Sequence, residues 1–150
     1  MSAANSGEDR GAAATVRDAM LAQAAAREGP RRRTIEQLVR SYLDSLSRGD
    51  VEGRLALFAP DATFEDPVGS APMVGHEALR AFWTAGAGLE VRAQLELIAV
   101  AGDEAAYVFT AEVVGNPDDR VTMRVIETIE VDDKGLISRM RAYFDRNTMT

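Results

Sequence analysis

The hydrophobic residues change their period near Val91, and this change limits the chain to a small set of folds. Between Thr34 and Gly88 the apolar residues recur every three or four positions, as in helices that bury one face. From Val91 to Phe144 they alternate with polar residues and are interrupted by turn sequences, as in antiparallel strands. Three helices followed by such strands predict an α+β fold, in which a curved, mostly antiparallel sheet wraps over the helices and forms a cone with a pocket inside.

Local signals place the three helices. The first helix is predicted to begin at Thr34. Thr34 as the N-cap and Gln37 three residues later can form a capping box. The second is predicted over 51–59, and the third from Gly75 to about Gly86. A short strand over 61–66 is expected between the second and third helices.

The first 33 residues differ from the rest of the chain. They contain ten alanines and six arginines but almost no large apolar side chains, so we expect a flexible tail, with a transient helix over 12–28 at most. Gly29 and Pro30 indicate a boundary, and Arg31 to Arg33 are interpreted as a solvated linker. The predicted organisation is a tail over 1–33 and one domain over 34–150.

Composition excludes several kinds of function. The chain has no cysteine and one histidine, His76, so we expect no thiolate nucleophile, no metal site and no cofactor. A net charge of -7 argues against nucleic acid as a partner. No apolar run is long enough for a membrane span, and the four acidic residues among the first thirty suit no targeting signal, so a cytoplasmic protein is expected.

Three polar residues lie on faces that should be apolar. Asp66 follows Ala62 and Phe64 on one side of the strand, although Asp-Pro also opens turns. Glu127 interrupts the apolar side of the strand over 121–131, unless a bulge turns it outward, and Tyr42 lies on the buried face of the first helix, where tyrosines are common in cores. The coincidence predicts that all three line one cavity.

These residue types suit acid–base chemistry. Burial disfavours an ionised carboxyl, so Glu127 is expected to stay protonated and donate a hydrogen bond. Asp66, at a strand end, is expected to stay ionised and act as a base. With Tyr42 as a second donor to a substrate oxygen, the set suits proton removal next to a carbonyl group.

A bulky hydrophobic small molecule is the expected ligand. The residues predicted to line its pocket are apolar and come from several elements. They are Phe58, Phe64, Phe82, Trp83, Met123, Val125, Met140 and Phe144.

Over residues 34–146 the chain resembles the ketosteroid isomerases of the nuclear-transport-factor-2-like superfamily. The resemblance rests on Arg48-Gly-Asp50, Asp61-Ala-Thr-Phe-Glu-Asp-Pro67, Gly75-His-Glu77, Val125-Ile-Glu127 and Met140-Arg-Ala-Tyr143. It implies a cone-shaped fold, usually dimeric, and isomerisation of a Δ5-3-ketosteroid to its Δ4 isomer. By position Asp66 matches the family's general base, and Tyr42 and Glu127 match the Tyr and the acid of its oxyanion hole. The acid of that oxyanion hole is a known case of a carboxyl group that stays protonated at neutral pH.

Two departures and two alternatives accompany the resemblance. Glu127 stands where the family has Asp, and Phe58 and Trp83 match positions where some members have supporting tyrosines. A polyketide cyclase of the same fold is one alternative, and a protein that only binds a hydrophobic ligand is the other. Epoxide hydrolysis is not expected, because Ala142 replaces the second Asp of an Asp-Arg-Asp set.

Overall fold

The computed structural model describes residues 6–116 and 119–150. Residues 1–5 of the predicted tail and the centre of the predicted turn, Pro117 and Asp118, lie outside the described residues. The helices are α1 (Ser6–Arg27), α2 (Arg32–Arg48), α3 (Val51–Leu55) and α4 (Gly75–Ala85), and the strands are β1 (Phe58–Glu65), β2 (Met73–Val74), β3 (Glu90–Ala101), β4 (Glu104–Asn116), β5 (Asp119–Val131) and β6 (Ile137–Tyr143). The predicted α+β class is confirmed.

The six strands form one sheet in the order β2-β1-β6-β5-β4-β3. Neighbouring strands are antiparallel except β1 and β6, which are parallel. The last strand in the sequence, β6, therefore lies near the middle of the sheet and joins β1 to the long β3–β4–β5 meander. The sheet is mostly antiparallel, as predicted.

Helices α2, α3 and α4 pack together and against the sheet. Their buried faces carry the residues that the helical period selects, including Ile35, Val39 and Leu43 from α2 and Leu79 and Trp83 from α4. The core between helices and sheet fixes the positions of the elements that carry the polar residues discussed below.

Helix α2 begins two residues before the predicted start. Arg31, not Thr34, is its N-cap, and the cap uses no side-chain hydrogen bond. Arg31 was expected in a solvated linker, but it forms an ion pair with Asp103 at 2.7 Å and donates from Nη1 to the Asp132 carbonyl at 2.6 Å. The start of α2 is therefore held by contacts of Arg31 with distant residues, and not by the predicted capping box of Thr34 and Gln37.

A helix, α1, occupies most of the segment predicted as a tail. Every residue from Gly11 to Arg27 is exposed, so this part of α1 contributes nothing to the core. Gly102 donates its backbone N–H to the Arg27 carbonyl at the end of the helix. Among the described residues, no helix is both long and apolar enough to cross a membrane.

Helix α3 is shorter than predicted. The Asp50 side chain caps it by accepting from the Gly53 backbone N–H at 2.9 Å, and it ends at Leu55. Strand β1 already begins at Phe58, three residues before the predicted strand. Asp66 therefore comes directly after the last residue of β1, and its peptide bond to Pro67 is cis.

Strand β3 contains a bulge that reverses its predicted faces. The pairing of β3 with β4 shifts between Leu95 and Leu97. Val91, Ala93 and Leu95 face the core as expected, but Leu97 is 67% exposed, and Ile98 and Val100 are the half-buried residues beyond the bulge. Strict alternation from Val91 would place Leu97 and Ala99 inward as well, but both are exposed because one extra residue in β3 changes the phase of alternation.

Candidate active site

Tyr42, Asp66 and Glu127 line one cavity of about 420 Å³. Tyr42 lies in α2, Asp66 follows β1, and Glu127 lies in β5, so the fold brings together residues that are distant in sequence. Tyr42 and Glu127 are each 3% exposed, and Asp66 is half-buried. The full lining is Tyr42, Leu46, Arg54, Asp66, Phe82, Trp83, Val91, Phe109, Ala111, Val113, Met123, Val125, Glu127 and Phe144.

Glu127 is the buried acid of the cavity. Burial raises its pKa to about 8, because a charged carboxylate loses its hydration there, and the charge of Asp66 acts in the same direction. A hydrogen bond from Tyr107 and the positive charge of Arg54 partly offset this effect. At neutral pH Glu127 is therefore mostly protonated and able to donate.

Tyr42 is electrostatically coupled to both acids. Burial raises the pKa of its hydroxyl well above the ordinary value, and the charges of Glu127 and Asp66 add to the shift. Arg54 acts in the opposite direction. The Tyr42 hydroxyl therefore keeps its proton over the physiological pH range and is a hydrogen-bond donor.

Asp66 has a different environment from Glu127. Burial also raises the pKa of Asp66, but its side chain is only half-buried, whereas that of Glu127 is buried. The two carboxyl groups thus differ in how strongly they hold their protons. The large shift at the buried Glu127 keeps that acid protonated, which leaves Asp66 as the base of the pair.

The predicted pocket residues divide into two groups. Phe82, Trp83, Met123, Val125 and Phe144 line the cavity. Phe58, Phe64 and Met140, which are at most 1% exposed, are absent from its lining and belong to the core. The rings of Phe58 and Phe64 support the wall from behind, at 5.2 and 6.2 Å from the Trp83 ring.

Sequence reasoning missed Tyr107. Its hydroxyl donates to Glu127 Oε2 at 2.5 Å, and both side chains are buried. The two residues are direct partners in the β4–β5 register. Counting back from the predicted turn at 116–119 would have paired Tyr107 with Thr128 instead, because the register shifts by one residue between Val114 and Asn116. Phe58 and Trp83 replace the supporting tyrosines of some family members, but Tyr107 still provides a tyrosine hydroxyl that contacts Glu127.

Sequence reasoning also missed Arg54, which is only 4% exposed. It lies on the apolar face of α3 with Val51 and Leu55, but a helix of five residues gives only a weak signal of which face is apolar. Its guanidinium donates to Ser45 and stacks on the Trp83 ring, with Cζ 4.9 Å from the ring centroid.

The geometry suits the removal of a proton next to a carbonyl group. Tyr42 and Glu127 supply two buried donors for an oxygen that becomes negative, and Asp66 supplies the base in the same cavity. In the part of the chain that the structure describes, no group of three or more His, Asp or Glu side chains is placed to hold a metal ion.

The fold and the cavity define a small α+β protein that carries an acid–base pair in an apolar pocket. Residues 39–140 match the model of the SnoaL-like domain, and the chain belongs to this family. The predicted relationship to the nuclear-transport-factor-2-like superfamily is confirmed.

Two named relatives and one solved structure indicate the range of the family. Steroid Delta-isomerase of Nocardioides simplex is 33% identical over 110 residues, which cover 73% of this chain and 89% of that protein. Epoxide hydrolase LasB of Streptomyces lasalocidi is 33% identical over 141 residues, and 50% of its length is covered. The structure of the epoxide hydrolase/cyclase-like enzyme SalBIII, described in pyran ring formation in salinomycin, shares the fold with a TM-score of 0.70 at 24% identity, covering 76% of this chain and 92% of that one.

These relatives are enzymes, and they support an enzymatic role for this chain. They also bear on the reaction class. The missing Asp-Arg-Asp set argued against epoxide chemistry, yet a relative named as an epoxide hydrolase is as similar in sequence as the isomerase.

Proposed function

We propose that the protein isomerises a Δ5-3-ketosteroid to the Δ4-3-ketosteroid by proton transfer within the substrate. Asp66 removes a proton from the carbon between the carbonyl group and the double bond, and the electron pair moves to the carbonyl oxygen. Tyr42 and protonated Glu127 donate hydrogen bonds to the resulting dienolate oxygen. Asp66 then returns the proton to the far end of the diene, so no other reactant is consumed.

One observation carries this proposal: two acids of unequal proton affinity share an apolar cavity with a buried tyrosine. Hydrogen-bond donors aimed at a developing negative oxygen typically contribute on the order of 10² to 10³ each in rate. The cavity volume, about 420 Å³, lies in the usual range for small-molecule sites. The isomerase relative, 89% of which is covered, supports the same reaction.

The longer Glu127 side chain does not prevent this role. Tyr107 binds Oε2, so Oε1 remains available to carry the donated proton. Because the contact crosses adjacent strands at directly opposed positions, the Glu127 carboxyl has a fixed anchor inside the sheet. We therefore expect the oxyanion site to function with Glu in place of Asp.

A second candidate is epoxide-opening cyclisation, which the LasB and SalBIII relatives favour. In this reaction Glu127 donates its proton to the epoxide oxygen as the carbon–oxygen bond breaks. Asp66 accepts the proton of a substrate hydroxyl as that oxygen attacks the carbon. The same two acids serve both reactions, so the substrate distinguishes them.

The experiment mixes the protein with a Δ5-3-ketosteroid and records the ultraviolet absorbance of the conjugated product. Asp66→Asn should remove most turnover with little loss of ligand affinity, because it removes the base and keeps the shape. Asp61→Asn is the matched control, since Asp61 lies in β1, five residues before Asp66, and is exposed.

Unchanged turnover in Asp66→Asn would refute the assignment of the base. No turnover by the wild type, together with ring closure of a hydroxy-epoxide by the same preparation, would replace isomerisation by cyclisation. The dimer and the hydrophobic ligand implied by the family remain proposals, to be tested by light scattering and by ligand binding.

A further inference from the structure

Arg54 is a buried charge that the proposed reaction does not use. It is 4% exposed and lines the cavity together with Tyr42, Asp66 and Glu127. Its Cζ atom lies 5.9 Å from the centroid of the Tyr42 ring and 4.9 Å from the centroid of the Trp83 ring. The guanidinium therefore stands beside the two donors that are proposed to hold the ketone.

The guanidinium stays charged and is held in one place. Burial lowers the pKa of Arg54, but an arginine side chain is effectively never deprotonated in a protein. Nε donates to Ser45 Oγ at 3.4 Å and Nη2 donates to the Ser45 carbonyl at 3.3 Å, and the Ser45 hydroxyl donates to the Tyr42 carbonyl at 2.6 Å. These contacts fix the charge relative to α2, so it needs no rearrangement when negative charge appears in the cavity.

Asp50 also acts on Arg54 electrostatically, but it is not part of the cavity lining. It is the N-cap of α3, where its side chain accepts from the Gly53 backbone N–H at 2.9 Å and lies 3.8 Å from Arg48 Nη2. Among the described residues no ion pair joins Asp50 to Arg54. Asp50 therefore reduces the positive field of Arg54 in the cavity without cancelling it.

The charge of Arg54 acts on both proposed donors. Burial raises the pKa of Tyr42 and the pKa of Glu127, and Arg54 opposes this effect at each of them. An oxygen that accepts hydrogen bonds from both donors lies within about 3 Å of each donor oxygen. A positive charge that acts on the two donor oxygens therefore also acts on the substrate oxygen between them.

We propose that Arg54 is a third stabilising group for the negative oxygen of the dienolate, and that it acts through its charge and not through a hydrogen bond. This inference rests on the proposed function, in which Tyr42 and Glu127 hold the ketone. The ketone is neutral and the dienolate oxygen is negative, so the charge stabilises the dienolate more than the bound substrate. Its effect is therefore expected in kcat, with little change in KM.

The size of the effect follows from Coulomb's law. At an effective dielectric constant of about 20, two unit charges roughly 6 to 10 Å apart change an equilibrium constant on the order of 10- to 100-fold. Arg54→Met removes the charge and keeps a long apolar side chain beside Trp83, so kcat for the steroid should fall by this factor. Arg54→Lys keeps the charge and loses the paired contacts with Ser45, so it should retain most of the rate.

Binding of a naphthol tests the charge without turnover. A naphthol has flat apolar rings and a hydroxyl group that becomes a negative oxygen on ionisation, and its two forms differ in ultraviolet absorbance. The measurement uses the Asp66→Asn background, in which residue 66 is uncharged, as the base is after it has taken the proton. Arg54→Met should lower the ratio of bound naphtholate to bound naphthol about 10- to 100-fold, and Arg54→Lys should lower it much less. Arg80→Met, at an exposed arginine of α4, is the matched control and should leave the ratio unchanged.

The pH profile of turnover distinguishes a charge from a structural support. Besides burial, four groups act on the Glu127 carboxyl, namely Tyr107, Asp66, Arg54 and Tyr42. Because Arg54 lowers the pKa of Glu127, Arg54→Met should slow turnover and also move its alkaline loss to higher pH. A loss of packing alone would leave the alkaline loss in place or, by admitting water to Glu127, move it to lower pH.

An equal naphtholate ratio with Arg54 and with Met at position 54 overturns the proposal. If Arg54→Met fails to fold, Arg54→Lys decides the question: a ratio lowered 10-fold or more overturns the proposal, because the charge is still present, and a retained ratio supports it. A naphthol whose pKa in the Asp66→Asn protein is higher than in water also overturns it, whichever variants fold. Absence of steroid turnover with a ratio that depends on the charge at position 54 refutes only the isomerase function.

Discussion

The protonated state of Glu127 predicts how stability depends on pH, independently of any substrate. In the folded protein the pKa of Glu127 is raised to about 8, whereas the unfolded chain has the ordinary value of 4.5. Below the unfolded pKa both states hold the proton, and the full contribution to stability is present. As pH rises toward the folded pKa, unfolding releases a proton, so stability is lost, and above it the loss levels off.

The magnitude follows from proton linkage. One proton held only by the folded state changes the free energy of unfolding by about 1.4 kcal/mol per pH unit. Between about pH 5 and pH 7 Glu127 should therefore cost the protein roughly 2 to 3 kcal/mol. Glu127→Gln cannot titrate, and its amide carbonyl can still accept from Tyr107, so this variant should lack that part of the pH dependence.

The assay is urea unfolding of the wild type and Glu127→Gln at several pH values from 5 to 9, followed by circular dichroism. The relevant quantity is the difference between their free energies of unfolding, because the other titrating groups are common to both proteins. This difference should move by roughly 2 to 3 kcal/mol in favour of Gln between pH 5 and 7, and flatten above pH 8. Infrared spectra should show the carbonyl band of a protonated acid at pH 7 in the wild type only.

A constant difference between the two proteins from pH 5 to 7 would refute the reasoning. It would mean that Glu127 is ionised in the folded state throughout this range. An ionised Glu127 would repel the enolate oxygen, and its role as a donor would have to be abandoned.

Three further predictions concern turnover, the pH profile and the N-terminal region. Glu127→Ala should reduce steroid turnover on the order of 10² to 10³ and fall well below Glu127→Gln, while Glu127→Asp should stay active; equal activity of the Ala and Gln variants would contradict the donor role. Tyr107→Phe removes a hydrogen bond that lowers the pKa of Glu127, so the alkaline loss of activity should move to higher pH, and an unmoved profile would assign that loss to another group. Deletion of residues 1–27 should change the melting temperature little, and a large fall would show that α1 packs on the domain. Arg31→Ala should lower the free energy of unfolding by on the order of 1 kcal/mol, because it removes the contacts with Asp103 and Asp132.

Much of the fold could be predicted because the spacing of apolar residues along a helix or strand depends directly on which face is buried. The buried sides of α2, β5 and β6 agree with the sequence pattern, since each has one face on the core. The bulge in β3 could not be predicted, because the run from Leu97 to Val100 is apolar on both faces and does not show which residues point inward. The start of α2 at Arg32 depends on contacts of Arg31 with residues about 70 to 100 positions away, which no local signal contains.

The candidate site could be predicted where a polar residue interrupts an apolar face. Tyr42, Asp66 and Glu127 were found in this way, and the structure places all three in one cavity. Arg54 was overlooked because α3 is only five residues long and its amphipathic pattern is short. Phe58 and Phe64 share their faces with cavity residues, so periodicity cannot tell a residue that lines the pocket from one packed behind it.

The position of β6 has a consequence for synthesis on the ribosome. Asp66 follows β1 directly, next to the part of the sheet formed by β1 and β2, and Glu127 belongs to the meander of β3, β4 and β5. Only β6 hydrogen-bonds to both parts, yet it is translated after all of them. The sheet that carries both the base and the buried acid can therefore be completed only after residues 137–143 have left the exit tunnel.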